Sequence, residues 1–166
     1  APTGSGVALL CSDRVQVTKA DVLHRSGSGK LLIVAVTLFG QYNMLYVVLH
    51  ADASGPQPNQ HSIANAHGHV AAALAKPEYR HHRVHWMTDA NNVTDPDLDQ
   101  SPAQPGQAPH AGARALPTMA QSLTLVDAFR EMRATSREYT HPARTAGGTA
   151  RRLDRIYVPA SSTAPN

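Results

Sequence analysis

The sequence predicts an α+β domain built around a mixed β-sheet. Three observations carry this reading. Two long β-branched apolar runs, Leu31–Phe39 and Met44–His50, are joined by a short Gly/Asn-containing connection, the pattern of a central antiparallel hairpin. A segment from about Gln60 to Ala75 then changes to helical period. Short strands follow, separated by helical stretches and a polar loop, without a regular βαβ alternation.

Each element can be justified in order. Gly6–Cys11 (GVALLC) has buried-strand length, and Val15, Val17 and Val22 continue a β-like pattern. Ser26-Gly27-Ser28-Gly29 is a turn signal. It precedes Lys30 but is read as a hairpin turn, because a strand and not a helix follows. Gly40 to Asn43 is a second turn. The loop from Asp52 to Asn59 is rich in Pro, Gly and Asn. Ile63, Ala66, Val70, Ala73 and Leu74 recur at helical spacing, and Pro77 ends the helix. Arg83–Met87 is a short strand leading into the polar group Thr88 to Asn92. The stretch 94–117 holds five prolines and few apolar residues, so it predicts a long exposed loop. Short helices are predicted around Met119 and over Leu125–Met132. Glu138–Thr140 and Arg152–Val158 complete the strands. The domain is assigned to 1–158, with 159–166 as a disordered tail.

The bulk composition limits the functional classes. Hydrophobic residues make up 42% and charged residues 16%, which suits a globular domain. Cys11 is the only cysteine, so an internal disulfide and a thiolate zinc site are excluded. The chain is expected to be intracellular, with the nucleus as one location, and not secreted; no membrane span is expected. Asn92-Val93-Thr94 has the form of a glycosylation acceptor that such a chain would not use. The formal charge of +3 is unevenly placed. Asp89, Asp95, Asp97 and Asp99 form an acidic centre, and Arg130, Arg133, Arg137, Arg144, Arg151, Arg152 and Arg155 make the last third basic. Such a pairing suits a metal ion beside a phosphate backbone, although two solvated faces would look the same.

The chemistry-bearing signal is Trp86-Met87-Thr88-Asp89-Ala90-Asn91. A buried strand ends and delivers a carboxylate and a carboxamide two residues apart, on one side at strand period. The carboxylate can orient or deprotonate a water, and the carboxamide can hold that water or a phosphate oxygen. Taken alone, Asp-x-Asn after a strand is also an ordinary turn cap.

Thr88-Asp89-Ala90-Asn91 resembles the Gly-Asp-Phe-Asn signature of the endonuclease/exonuclease/phosphatase superfamily, with the Asp and Asn matched and the Gly and aromatic not. Leu125 to Arg130 followed by Glu138-Tyr139-Thr140-His141 is similar to the helix and strand of non-LTR retrotransposon endonucleases. Arg151 to Val158 resembles their Ser-Arg-Leu-Asp-Arg-Ile-Tyr-Val strand. GVALLC looks like the glycine-led strand that follows the family's metal-binding glutamate. The run 31–53 looks like the family's central hairpin, with His50 at its tyrosine place. The resemblance spans nearly the whole chain. It implies a two-layer β-sandwich flanked by helices, a magnesium-dependent DNA endonuclease or phosphodiesterase of retroelement origin, and DNA as partner. Asp89 would activate water with Asn91 beside it, Asp154 would orient a histidine, and His50 would sit near the phosphate.

The same resemblance implies an Asn and a metal-binding Glu ahead of GVALLC, and a Ser-Asp-His after RLDRIYV. The sequence displays neither. The expectation is therefore an incomplete fold, truncated at both ends, with little or no nuclease activity. Two other readings are a non-catalytic degenerate domain retained for nucleic-acid or protein binding, and an unrelated binding module sharing only the strand pattern. Ten histidines are present. His61, His67, His69, His81, His82 and His85 cluster in sequence, but scattered surface imidazoles explain them better than zinc does. Asp95 to Asp99 lacks the Gly and Glu of a calcium loop.

Overall fold

β-Branching and alternation decide which segments extend. The computed structural model describes residues 6–53, 58–102, 111–143, 145 and 148–160. The first long apolar run forms β2 (Leu31–Leu38), and Tyr42–His50 forms β3, antiparallel to it. β1 (Val17–Arg25) pairs antiparallel with the other side of β2. The β1–β2 turn closes at Ser26, whose carbonyl accepts from Gly29 N at 3.0 Å and whose hydroxyl accepts from Leu31 N at 3.0 Å. The β2–β3 turn lies earlier than expected, at Phe39-Gly40. Their φ angles are 51° and 71°, and Gln41 N donates to Leu38 O at 3.1 Å. Positive φ at both central residues matches the twist of a two-residue hairpin, which Gly40 adopts freely and Phe39 only under strain.

After β3 the chain makes one parallel crossover. α1 (Pro58–Leu74) returns it so that β4 (Arg83–Asp89) runs parallel to β3. β8 (Asp154–Pro159) pairs antiparallel with β4, and β6 (Leu125–Asp127) antiparallel with β8. The sheet order is β1-β2-β3-β4-β8-β6. A separate ribbon joins β5 (Gln100–Ser101) to β7 (Ala150–Arg151). Alternate residues of the sheet, among them Ile33, Leu45, Val47, Leu49, Val84 and Trp86, are buried. They share a core with Ile63, Ala66 and Val70 of α1 and with Leu116 and Met119 of α2 (Ala115–Ser122). The spacing of Ile63, Ala66 and Val70 turns one stripe of α1 onto the sheet. The fold is α+β as expected. Of the two-layer sandwich, the described residues supply one helix-backed, six-stranded sheet. On its other face Val48 and Met87 are half-buried and Ile156 is exposed.

Several expected elements are built differently. GVALLC is not a strand: Val7 N donates to Gly29 O at 2.9 Å, and no ladder forms. Leu125–Met132 is not one helix. Leu125–Asp127 is the edge strand β6, and only Ala128–Met132 (α3) is helical. The cause is Asp127, extended at φ −69° and ψ 109°, whose carboxylate caps α3 by accepting from Phe129 N and Arg130 N. Met132, at the end of α3, is exposed. Glu138–Thr140 is not a strand; the nearby pairing is a single bridge from His141 to Arg151. Within the segment assigned to loop, a 3-10 turn covers Ala111–Arg114, and α2 begins at Ala115. Pro117 fits its first turn, where the missing N–H would have had no helical acceptor. Residues 103–110 lie outside the described residues. β8 runs one residue past the expected boundary, and Ala160 N donates to Thr124 O at 3.1 Å; 161–166 lie outside the described residues.

Candidate active site

The sheet order brings three distant residues into one row. In register, His50 of β3 is the partner of Asp89 on β4, and Asp89 is the partner of Asp154 on β8. All three stand at one end of adjacent strands and line a cavity of about 740 Å³ on the open face of the sheet. His50 Nε2 lies 3.9 Å from Asp89 Oδ2, and the two side chains are 34% and 38% exposed. The apolar part of the wall includes Val48, Met87, Phe129 and Ile156.

Asn91 takes a different position from the one strand period predicts. β4 ends at Asp89, Ala90 N donates to Leu153 O at 2.9 Å, and Asn91 turns into the left-handed region at φ 48°. Its side-chain Nδ2 donates to Ala51 O at 2.7 Å, and its backbone N donates to Asp89 Oδ1 at 3.1 Å. Asn91 thus ties the end of β3 to the end of β4 and orients Asp89, and it is not on the cavity wall. Beyond His50, Asp52 accepts from Lys30 Nζ and from Ser62 Oγ, the latter at 3.0 Å. The Lys30 bond, then the Ser62 bond, hold its carboxyl below the usual carboxylate range.

Sequence reasoning missed what holds the far side of the row. Thr140 Oγ1 accepts from Leu153 N at 3.0 Å and from Asp154 N at 3.1 Å. Arg152 and Arg155, assigned to a basic rim, are buried and line the inner wall of the cavity. Arg152 Nη2 donates to Asp127 Oδ2 at 2.6 Å and Arg152 Nε to Asp99 Oδ1 at 2.9 Å. Arg155 Nη2 donates to Asp99 Oδ2 at 2.9 Å. Asp99 itself is fully buried. Burial alone would raise its carboxyl, yet the Arg155 charge and the bonds from Arg130 and Arg152 outweigh burial and hold it far below the usual range. Among the expected rim residues, Arg130 joins the same network, Arg133 pairs with Glu138 at the surface, and Arg144 lies outside the described residues. The signal was present as Asp127 and the RRLDR run, but a charge pattern does not say which charges meet.

The histidines do not converge. His69 stacks on His24 with ring centroids 3.6 Å apart, and His67 is hydrogen-bonded to Ser122 at 2.8 Å. Among the described residues, no group of three or more His, Cys, Asp or Glu side chains is placed to hold a metal ion. The Asp89–Asp154 edge offers a lesser arrangement. Two carboxylates face each other across adjacent strands, a pairing that repels itself unless a cation intervenes. Magnesium is commonly held by one or two carboxylates, with waters completing its octahedron, so the donor chemistry fits that ion.

No protein-family model matches the sequence, and no curated protein matches it. Solved structures do. The chain is similar to a 3'-5' exonuclease (NExo) from Neisseria meningitidis, with a TM-score of 0.64 and 16% identity over 90% of this chain and 61% of that one. It is also similar to the AP endonuclease LMAP from Leishmania major, with a TM-score of 0.60 and 16% identity over 81% of this chain and 47% of that one. An AP endonuclease from Archaeoglobus fulgidus gives a TM-score of 0.58 at 17% identity, over 90% and 61% of the two chains. The chain shares its fold with these three structures. This chain spans between 47% and 61% of the length of those three structures. Among the described residues, no helix is long and apolar enough to cross a membrane.

Proposed function

We propose that this chain carries the water-handling part of a metal-dependent DNA phosphodiesterase site of retroelement origin. The observation that carries the reading is the single row of His50, Asp89 and Asp154 at one strand end, beside a cavity. Asp89 is held by the Asn91 amide and faces the cavity, so it orients or deprotonates the attacking water. Asp154, which the resemblance would have orient a histidine, faces Asp89 across the strand pair, and in our reading the two carboxylates would hold a divalent cation. When bound, magnesium supplies charge stabilisation at the phosphate oxygens. His50 stands beside Asp89 as a donor to a phosphate oxygen. The retroelement assignment rests on the sequence resemblance, above all on Arg151 to Val158. A DNA substrate fits the expected intracellular location, with the nucleus as one site.

The described residues offer two carboxylates and one imidazole but no three-donor group. Plasmid nicking by this chain is accordingly expected to stay near background. That shortfall also favours a second reading, a non-catalytic domain that only binds nucleic acid or protein.

Fluorescence anisotropy with a short DNA duplex, with and without magnesium, separates the two. Without metal, Asp89 and Asp154 repel phosphate, so Asp89→Asn should bind DNA more tightly than the natural chain. With magnesium the natural chain should gain affinity and the variant should not. Equal responses to magnesium would leave only the non-catalytic reading. Robust metal-dependent nicking of supercoiled plasmid that vanishes in Asp89→Ala would overturn the expected inactivity.

A further inference from the structure

Asp99 accepts five hydrogen bonds on one buried carboxylate. Oδ1 takes Arg130 Nη2 and, at 2.9 Å, Arg152 Nε. Oδ2 takes Thr94 Oγ1 at 2.9 Å, Asp95 N at 3.1 Å and Arg155 Nη2 at 2.9 Å. Its backbone carbonyl also accepts from Arg152 N at 2.8 Å. These contacts join two segments with different roles in the site. Thr94 and Asp95 belong to the loop that leaves Asp89 and Asn91. Arg152 and Arg155 lie on either side of Asp154 in the chain. One carboxylate therefore ties the exit of β4 to the entry of β8, where the two cavity-facing aspartates sit.

We propose that Asp99 is a positioning residue that keeps Asp154 opposite Asp89 by clamping Arg152 and Arg155 to the 94–99 loop. The proposal rests on reading Asp89 and Asp154 as the cation-binding pair. The physical case is the charge balance. Asp99 and Asp127 face Arg130, Arg152 and Arg155, and Arg152 and Arg155 are almost wholly buried. Removing the Asp99 charge leaves Arg152 and Arg155 to share Asp127, and leaves the Arg130 guanidinium only the Ala134 and Ser136 carbonyls. Two buried guanidinium groups on one carboxylate repel each other, and the Arg152–Arg155 segment loses its side-chain ties to the 94–99 loop. Asp127 cannot replace the clamp, because it bonds neither Thr94 nor Asp95 and so does not reach the loop after Asp89.

The test compares the natural chain with Asp99→Asn by NMR, well below the unfolding temperature. The first readout is amide exchange at Leu153 and Asp154, against Ile33 and Val47, paired on β2 and β3 of the same sheet, as controls. The second is the pH titration of the Asp154 carboxyl carbon in the folded protein, which a loss of global stability does not move. The third is magnesium affinity, read from the same resonance. The expected result is faster exchange at Leu153 and Asp154 only, an altered Asp154 titration, and magnesium binding weakened by about 10- to 100-fold, the usual effect of losing a partner that orients a ligand. Unchanged exchange and titration at Asp154 in folded Asp99→Asn would overturn the proposal. If Asp99→Asn does not fold, Thr94→Val and Arg130→Met, which each remove one donor, decide it by the same readouts: a local change at Asp154 supports the clamp, and none refutes it. A natural chain with no magnesium response would defeat the phosphodiesterase reading, while exchange and titration at Asp154 would still decide the clamp.

Discussion

A single carboxylate can cap a helix and neutralise an arginine pair together. Asp127 accepts from Phe129 N at 3.1 Å and Arg130 N at 3.3 Å, and also takes Arg152 and Arg155. The Phe129 ring lies 5.2 Å from the Arg130 guanidinium and 5.1 Å from that of Arg152, which adds a face for the same charges. Asp127→Ala should destabilise the chain by about 3–5 kcal/mol in urea unfolding, because two buried guanidinium groups lose a partner. Asp127→Asn keeps the cap and should cost less. Among the shifted groups, Asp99 and His24 both lower stability as pH falls. Asp99 has a folded carboxyl depressed below its ordinary value of 3.8, so its contribution is present above that pH and lost as pH falls below it. His24 is lowered from 6.5 by burial and then by the His69 charge, so the folded state resists protonation and stability falls as pH drops below 6.5. Thermal melts between pH 5 and 7 should show this second loss, and His69→Gln should reduce it. An unchanged slope in His69→Gln would rule out the stacked pair as its source.

At the scale of elements, long patterned segments were legible, as were the shorter β4, β8 and α2, while three other short segments were not. The β-branched run of β2, the alternation of β3 and the helical stripe of α1 are set by burial, which the sequence period reports directly. Leu125–Met132 has helix-like apolar spacing, but capping by Asp127 and pairing with β8 outweighed it. GVALLC has strand composition but found one backbone bond, and the Glu138–Thr140 segment gives its threonine hydroxyl to β8 instead of forming a ladder. Tertiary partners decided the last two cases, while the Asp127 cap was a local signal within the first. The central strand makes a direct check on the core. Trp86 is fully buried on β4 between β3 and β8, so Trp86→Ala should cost about 3–5 kcal/mol. A loss under about 1 kcal/mol would mean that the β4 core face is not packed as described.

Across the whole molecule, the site is a product of strand order. Asp89, Asn91, Asp154 and His50 were legible as polar residues at the ends of strand-like runs. Their row was not, because it needs β4 inserted between β3 and β8 and one particular register on each side. Asn91 shows the limit of period arguments: two residues beyond the strand's end a left-handed turn redirected its amide to Ala51. The arginines show the limit of charge arguments, since three of them are tied to the buried Asp99 carboxylate. The central claim is that Asp89 and Asp154 form one cation-binding edge. Paramagnetic broadening of the NMR spectrum by manganese, titrated at low concentration, tests it most directly. The account predicts that His50, Asp89 and Asp154 broaden first, and that Asp89→Asn abolishes the effect at all three. Broadening centred on another part of the chain, or unchanged in Asp89→Asn, would contradict it.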